Sequence, residues 1–217
     1  MMDGTWEAFA VSGLSDGRFP WLVAGVDEVG RGALAGPVTS ACVVFPLPVE
    51  RFAGYGIADS KLLTPEKRET LSRWIEENAL FTALGWASVD EIERLNIRRA
   101  TMLSMGRALQ TLPQTFLREN SILVAVDGKD LIADLPFPQT AVVGGDGMVL
   151  SIAAASILAK VARDRYMGEI DSEFPEFRFR IHKGYGLKDH REAIRRYGLS
   201  RHHRPLFCRK ALEPGSS

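Results

Sequence analysis

The stretch WLVAGVDEVGRGALAGPVTSACVVF, Trp21 to Phe45, decides the fold. Its first residues are apolar up to Asp27 and Glu28, the pattern of a buried strand whose end meets solvent at an acidic pair. GRGALAGPV then turns the chain. TSACVVF reads as a second strand, closed by Pro46 and Pro48, which cannot donate to a sheet ladder. The two runs make a hairpin-like unit, so part of the sheet is expected to be antiparallel. Cys42 falls inside the second run and reads as core.

Outward from this unit the chain alternates between strand and helix. Residues 1–20 show no clear periodicity and are expected to form a frayed N-terminus, and residues 50–60 read as loop. Thr64 followed by Pro65 marks a helix start, and that helix runs to about Asn78. FTALGWASV is strand-like. Ser88 with Glu91 three residues later makes a capping box, and helix continues from Ile97 to about Leu112, where Pro113 ends it. SILVAVDG is a short buried strand ending in Asp127, and TAVVGGDG repeats the pattern with Asp146. LSIAAASILAKVARDRYM reads as a helix of small residues able to pack closely on a sheet, and a further helix is expected near Lys188–Tyr197. Helices between and after apolar strands give an α/β fold with a covered sheet. A single domain over residues 1–217 is expected, with an α/β core over about 21–170 and a basic helical region over about 171–210.

The 46% apolar and 25% charged residues are ordinary for a globular protein. Two cysteines, Cys42 and Cys208, have no spacing for zinc or a disulfide framework, which points to a reducing cytoplasm. No leader opens the chain and no apolar run approaches membrane-spanning length, so a soluble, monomeric protein is expected. The net charge of zero hides an asymmetry. Arg178 to Lys210 holds eleven Lys or Arg against two acids, Asp189 and Glu192, and contains all four histidines. Such a concentrated basic surface favours a polyanionic partner, though a solvated helical face would look the same.

Three apolar runs stop at acids: Asp27-Glu28, Asp127 and Asp146. Adjacent strands would bring those ends together, and clustered carboxylates are unfavourable unless cations neutralise them. No Cys or His lies beside them, so Mg²⁺ or Mn²⁺ is the matching cation. Two such ions, typically about 3.5–4 Å apart, could activate water and stabilise a phosphodiester's leaving oxygen. Independent capping of loops by these acids is the competing reading. The glycines at 30, 32 and 36 miss the dinucleotide-binding spacing, and Asp27 and Glu28 would repel a pyrophosphate. A better role for Gly30, Arg31 and Gly32 is close backbone approach to a nucleic-acid strand. Lys61 and Lys183 read as exposed cations. Tyr185, between Gly184 and Gly186, has a ring free to stack on a sugar or base.

AGVDEVGRGALAGPV, DSKLLTPEKRE, VDGKD, VVGGDGMVLSIAAASILAKVARDR and HKGYGLKDH, in order from about Trp21 to Arg204, resemble bacterial ribonuclease HII. The resemblance implies the RNase H-like fold, a five-stranded mixed sheet flanked by helices with a helical C-terminal extension. It implies cleavage of the RNA strand of RNA–DNA hybrids and incision 5′ to a single ribonucleotide in duplex DNA, leaving 3′-hydroxyl and 5′-phosphate ends. By motif, Asp27, Glu28, Asp127 and Asp146 become the catalytic, metal-binding carboxylates. Gly30, Arg31 and Gly32 become the contacts around the ribonucleotide 2′-hydroxyl, and Tyr185 the reader of the neighbouring deoxyribose. Gly144 stands where the family commonly has lysine, while Asp146 stays in register. Asp164 is assigned to a helix-face ion pair. The related ribonuclease HIII usually carries an additional N-terminal substrate-binding domain; about twenty residues precede the first strand here, which with Gly-Arg-Gly favours HII. A non-catalytic hybrid-binding module and a small-phosphoester phosphatase are the alternatives; the first leaves four acids without a purpose, the second the basic tail and Tyr185.

Overall fold

The computed structural model describes residues 5–12, 14, 21–57 and 60–212. Five strands form one mixed sheet in the order β3-β2-β1-β4-β5: β1 (Trp21–Val29), β2 (Val38–Val44), β3 (Phe81–Ala87), β4 (Ser121–Asp127) and β5 (Gln139–Val142). The hairpin-like unit is β1 and β2, paired antiparallel, and β3 continues antiparallel beyond β2. On the other side β1, β4 and β5 run parallel, so each pair needs a crossover connection; helices lie between β1 and β4, whereas residues 128–138 join β4 to β5 without one. This is the expected mixed five-stranded sheet flanked by helices.

Helices α2 (Pro65–Asn78) and α6 (Leu150–Glu173) cover one face, while α3 (Val89–Leu95) and α4 (Ile97–Gln110) lie toward the other. Thr64 accepts a hydrogen bond from the Lys67 amide to cap α2, and Ser88 and Glu91 close the capping box of α3. The run Ala153-Ala154-Ala155 lets α6 press onto the sheet. The approach is so close that a Cβ on Gly25 of β1 would lie 2.2 Å from the Ser151 carbonyl carbon. Ala24, Val26, Cys42 and Val44 bury the opposite face against Met105 and Leu109 of α4.

Several segments differ from expectation. Thr5–Ser12 forms a helix, α1, whose buried Glu7 accepts hydrogen bonds from the Ser151 amide (2.9 Å) and hydroxyl (3.3 Å). Other parts of residues 1–20 lie outside the described residues, apart from Leu14. Residues 50–60 are not all loop, since 3₁₀ turns occupy Val49–Phe52 and Ser60–Leu62. A short helix, α5 (Gln114–Glu119), follows Pro113. The basic region holds α7 (Phe179–His182), α8 (Lys188–Tyr197) and α9 (Pro205–Leu212). These pack Phe177, Phe179, Ile194 and Cys208 against Leu34, Ala35 and the end of α6, so the region is anchored on the loop that follows β1.

Candidate active site

In the parallel pair β1–β4, Val26 stands level with Val126, so Asp27 and Asp127 come next at the same end of the sheet. Level residues of neighbouring strands share a face, here the one under α6. Glu28 follows at once. One carboxylate oxygen from each of Asp27, Glu28 and Asp127 lies within 4.8 Å of the other two.

Each acid is fixed by local bonds. The Glu28 amide donates to Asp27 Oδ1 at 2.7 Å, and the Ser156 hydroxyl of α6 also bonds to Asp27. Ser156 is held in turn by Ser60, oxygen to oxygen 2.9 Å. Burial pushes the Asp27 carboxyl well above the ordinary carboxylate range, and the charges of Glu28 and Asp127 push the same way. Glu28 is raised by burial and drawn back by Arg31, whose Nη1 lies 3.3 Å from Oε1. Asp127 is raised chiefly by burial, while the Gly145 amide, 2.7 Å from Oδ1, favours its charged form. Three mutually repelling carboxylates partly out of water call for a cation. The donors are all oxygen, as a hard divalent ion requires, so the residues fit Mg²⁺ or Mn²⁺.

Asp146 sits apart from the three. Strand β5 stops at Val142 rather than running to the acid, because Gly144 turns the chain into the left-handed region (φ 67°) and Gly145–Gly147 makes a 3₁₀ turn. There Asp146 Oδ2 meets Lys61 Nζ at 3.2 Å. Its negative charge still reaches Asp127, whose carboxyl it helps to raise.

The glycine turn follows β1 directly. Gly30 has φ +95°, and a Cβ there would lie 2.2 Å from Arg163 Nε. At Gly32 a Cβ would meet nothing within 4 Å, and Arg31 is exposed. Lys61 is exposed, as expected, but Lys183 is not: it is half-buried, with Nζ 3.4 Å from the Asp164 carbonyl. It leads into Gly184 and Tyr185, and the latter's ring lies 5.6 Å from the Arg163 guanidinium carbon rather than standing clear. Asp164 pairs with Lys160 at 2.6 Å along α6, the ion pair expected of it.

Two buried arginines were not singled out in the sequence. Arg163 bonds to carbonyls of the loop after Gly32 and of Lys183. Arg204 donates from Nε to the Gly36 carbonyl (2.9 Å) and from Nη1 to the Arg31 carbonyl (3.0 Å). For Arg163 a signal exists: Ala155, Ala159 and Arg163 follow at i, i+4, i+8, which places the arginine on the buried stripe of α6.

The family model of ribonuclease HII matches residues 24–210. Ribonuclease HII of Synechocystis sp. is 43% identical over 192 residues, covering 88% of this chain and 98% of the relative. That of Microcystis aeruginosa is 47% identical over 195 residues, covering 88% and 91%. Among solved structures, the ribonuclease H2 of Pyrococcus horikoshii matches with a TM-score of 0.73 at 26% identity, over 88% of this chain and 97% of its own. Bst ribonuclease HIII, solved in complex with Mn²⁺, shares the fold with a TM-score of 0.68 at 19% identity, over 93% of this chain and 68% of its own. With nearly the whole described sheet and its acids inside the matched span, this chain belongs to the ribonuclease HII family and is a metal-dependent ribonuclease.

Proposed function

We propose that the protein cuts the RNA strand of RNA–DNA hybrids and incises 5′ to single ribonucleotides embedded in duplex DNA, leaving 3′-hydroxyl and 5′-phosphate ends. The observation that carries this reading is one turn of chain: Asp27 and Glu28, grouped with Asp127, are followed within four residues by a glycine whose side is open to solvent.

Asp27, Glu28 and Asp127 would hold divalent ions, with Asp146 joining them as the fourth ligand. When bound, two Mn²⁺ or Mg²⁺ ions supply the Lewis acidity that activates water and offsets charge on the leaving oxygen. The protein's share is placement. Ser156 and the Glu28 amide orient the Asp27 carboxylate, and the Gly145 amide orients Asp127. Arg31, the open face of Gly32 and Lys61 meet the sugar–phosphate strand, where phosphate contacts fix register. Lys183 and Tyr185 meet it on the far side of the cut, the tyrosine ring against a deoxyribose.

Incubation with Mg²⁺ or Mn²⁺ and a duplex carrying one ribonucleotide tests the reading. A nick on the 5′ side of that nucleotide is expected. Folded protein that leaves the duplex intact would sink it, and metal-independent binding without cleavage would replace it with a hybrid-binding module. The same reading makes the protein a single-domain, monomeric enzyme of cytoplasmic ribonucleotide excision repair, and gel filtration at the mass of one 23.9 kDa chain checks the monomer.

A further inference from the structure

Arg163 is fully buried in the middle of α6, where an apolar residue would pack at no electrostatic cost. Its guanidinium is spent on main-chain carbonyls. Nε donates to Pro37 at 3.0 Å, Nη2 to Ala35 at 2.9 Å and Nη1 to Lys183 at 2.8 Å. Burial lowers its pKa from the ordinary arginine value. No apolar side chain could make these bonds, and they join two segments almost 150 residues apart in sequence.

One segment is the loop that follows Gly30-Arg31-Gly32; the other leads into Tyr185. They touch directly as well, the Leu34 amide donating to the Gly184 carbonyl at 2.8 Å. Two glycines serve this junction. A Cβ on Gly30 would strike Arg163 Nε, and a Cβ on Gly184 (φ +80°) would lie 2.5 Å from the Ala35 carbonyl oxygen. The guanidinium carbon also lies 5.6 Å from the Tyr185 ring centre. A planar fork with donors in fixed directions sets the separation of two loops in a way a flexible ammonium cannot.

We infer that Arg163 is a positioning residue for substrate discrimination: it fixes the spacing between the Gly30-Arg31-Gly32 turn and Tyr185, so that a ribose and the adjoining deoxyribose are engaged together. This rests on the substrate reading proposed above. A continuous hybrid offers a ribose at every step of the RNA strand and tolerates a looser spacing. A lone ribonucleotide offers one register.

The test measures kcat/KM on a single-ribonucleotide duplex and on a continuous hybrid, for wild type, Arg163→Lys, Tyr185→Ala and the double variant. Misplacement on the scale of an ångström is worth on the order of 10–100-fold in rate, and Arg163→Lys is expected to lose that much on the single-ribonucleotide duplex. On the hybrid the loss should be far smaller. The double variant should be no worse than the poorer single variant, since residues acting through one another are not additive. Equal losses on both substrates, or losses that multiply in the double variant, overturn the inference. Should Arg163→Lys fail to fold, Gly184→Ala drives the same loops apart while keeping the guanidinium, and must show the same selective loss. Failure of both to fold would mean that Arg163 holds the fold rather than the spacing, which also overturns it. A wild-type protein that cuts neither substrate would instead defeat the nuclease reading.

Discussion

Gly30 and Gly32 stand two residues apart in one turn, yet the reasons for a missing side chain differ. At Gly30 both the backbone (φ +95°) and Arg163 forbid a Cβ. At Gly32 neither does, which fits the proposed role of its open side against the substrate strand. Gly32→Ala should therefore leave folding stability within ~0.5 kcal/mol, the usual range for a surface change. The same variant should raise KM for the hybrid; thermal melting and steady-state kinetics on one preparation check both, and an unchanged KM would remove Gly32 from the substrate surface. Asp127→Asn is the companion case. Its amide oxygen can still accept from Gly145, so the fold should hold, but the charge that a divalent ion needs is gone. Mn²⁺ titration should show weakened binding, and turnover should vanish while hybrid affinity survives. The acids Asp27, Glu28 and Asp127 were legible because each closes an apolar run. Arg163 was not, because a buried arginine satisfied by carbonyls has no partner to betray it in the sequence, only its phase on the helix.

At the scale of elements, the hairpin, the parallel strands and α6 were readable from hydrophobic period, since each buries a continuous stripe. Helix α1 was not. It spans eight residues, too few for a periodic signal, and it is attached by Trp6 and Val11 packing on the core and by a single acid reaching 144 positions along the chain. That acid, Glu7, occupies the N-terminus of α6, where Val149 offers no side-chain cap. Free amides there are satisfied by an acceptor brought from outside. Glu7→Ala should cost about 1–2 kcal/mol, the range for losing a cap. Glu7→Gln keeps the acceptor and behaves differently. Burial raises the Glu7 pKa above 4.5, so the native state binds that proton more tightly than the unfolded chain does. The stability tied to that proton is complete below 4.5 and fades as pH rises through the folded value. Glu7→Gln, neutral throughout, should match wild type near pH 4 and exceed it increasingly toward neutral pH. Urea melts at several pH values check this, and a gap independent of pH would mean that the native carboxyl is not raised.

For the molecule as a whole, the basic region has two functions in one segment: its arginines and lysines point to a polyanion, while three of its four histidines hold the region together from within. His182, His190 and His203 are all buried. Their bonds stay within residues 177–203: His182 Nε2 with the Phe177 carbonyl (2.6 Å), His190 Nδ1 with the Tyr185 carbonyl (2.9 Å), and His190 Nε2 with His203 Nε2 (3.0 Å). His203 Nδ1 accepts the Ser200 amide at 2.9 Å. With Nδ1 accepting, the His203 proton sits on Nε2 and points at an unprotonated His190 Nε2, so both rings are neutral. Burial lowers His190 to about 3 and His203 to about 4. Because these values lie below the ordinary one of about 6.5, the unfolded chain takes up protons first as pH falls. Stability should thus be intact above about 6.5 and decline as pH drops from there toward the folded values, by at most ~1.4 kcal/mol per pH unit for each histidine. The raised carboxylates Glu7, Asp27, Glu28 and Asp127 act in the opposite direction, so the histidine share must be read as a difference. His190→Gln, which cannot titrate, should be less stable than wild type at pH 7.5 and lose that deficit progressively by pH 4.5, in parallel urea melts. A deficit that stays constant across this range would mean that His190 does not enter the native state neutral, and that acid does not act through this histidine cluster inside the basic region.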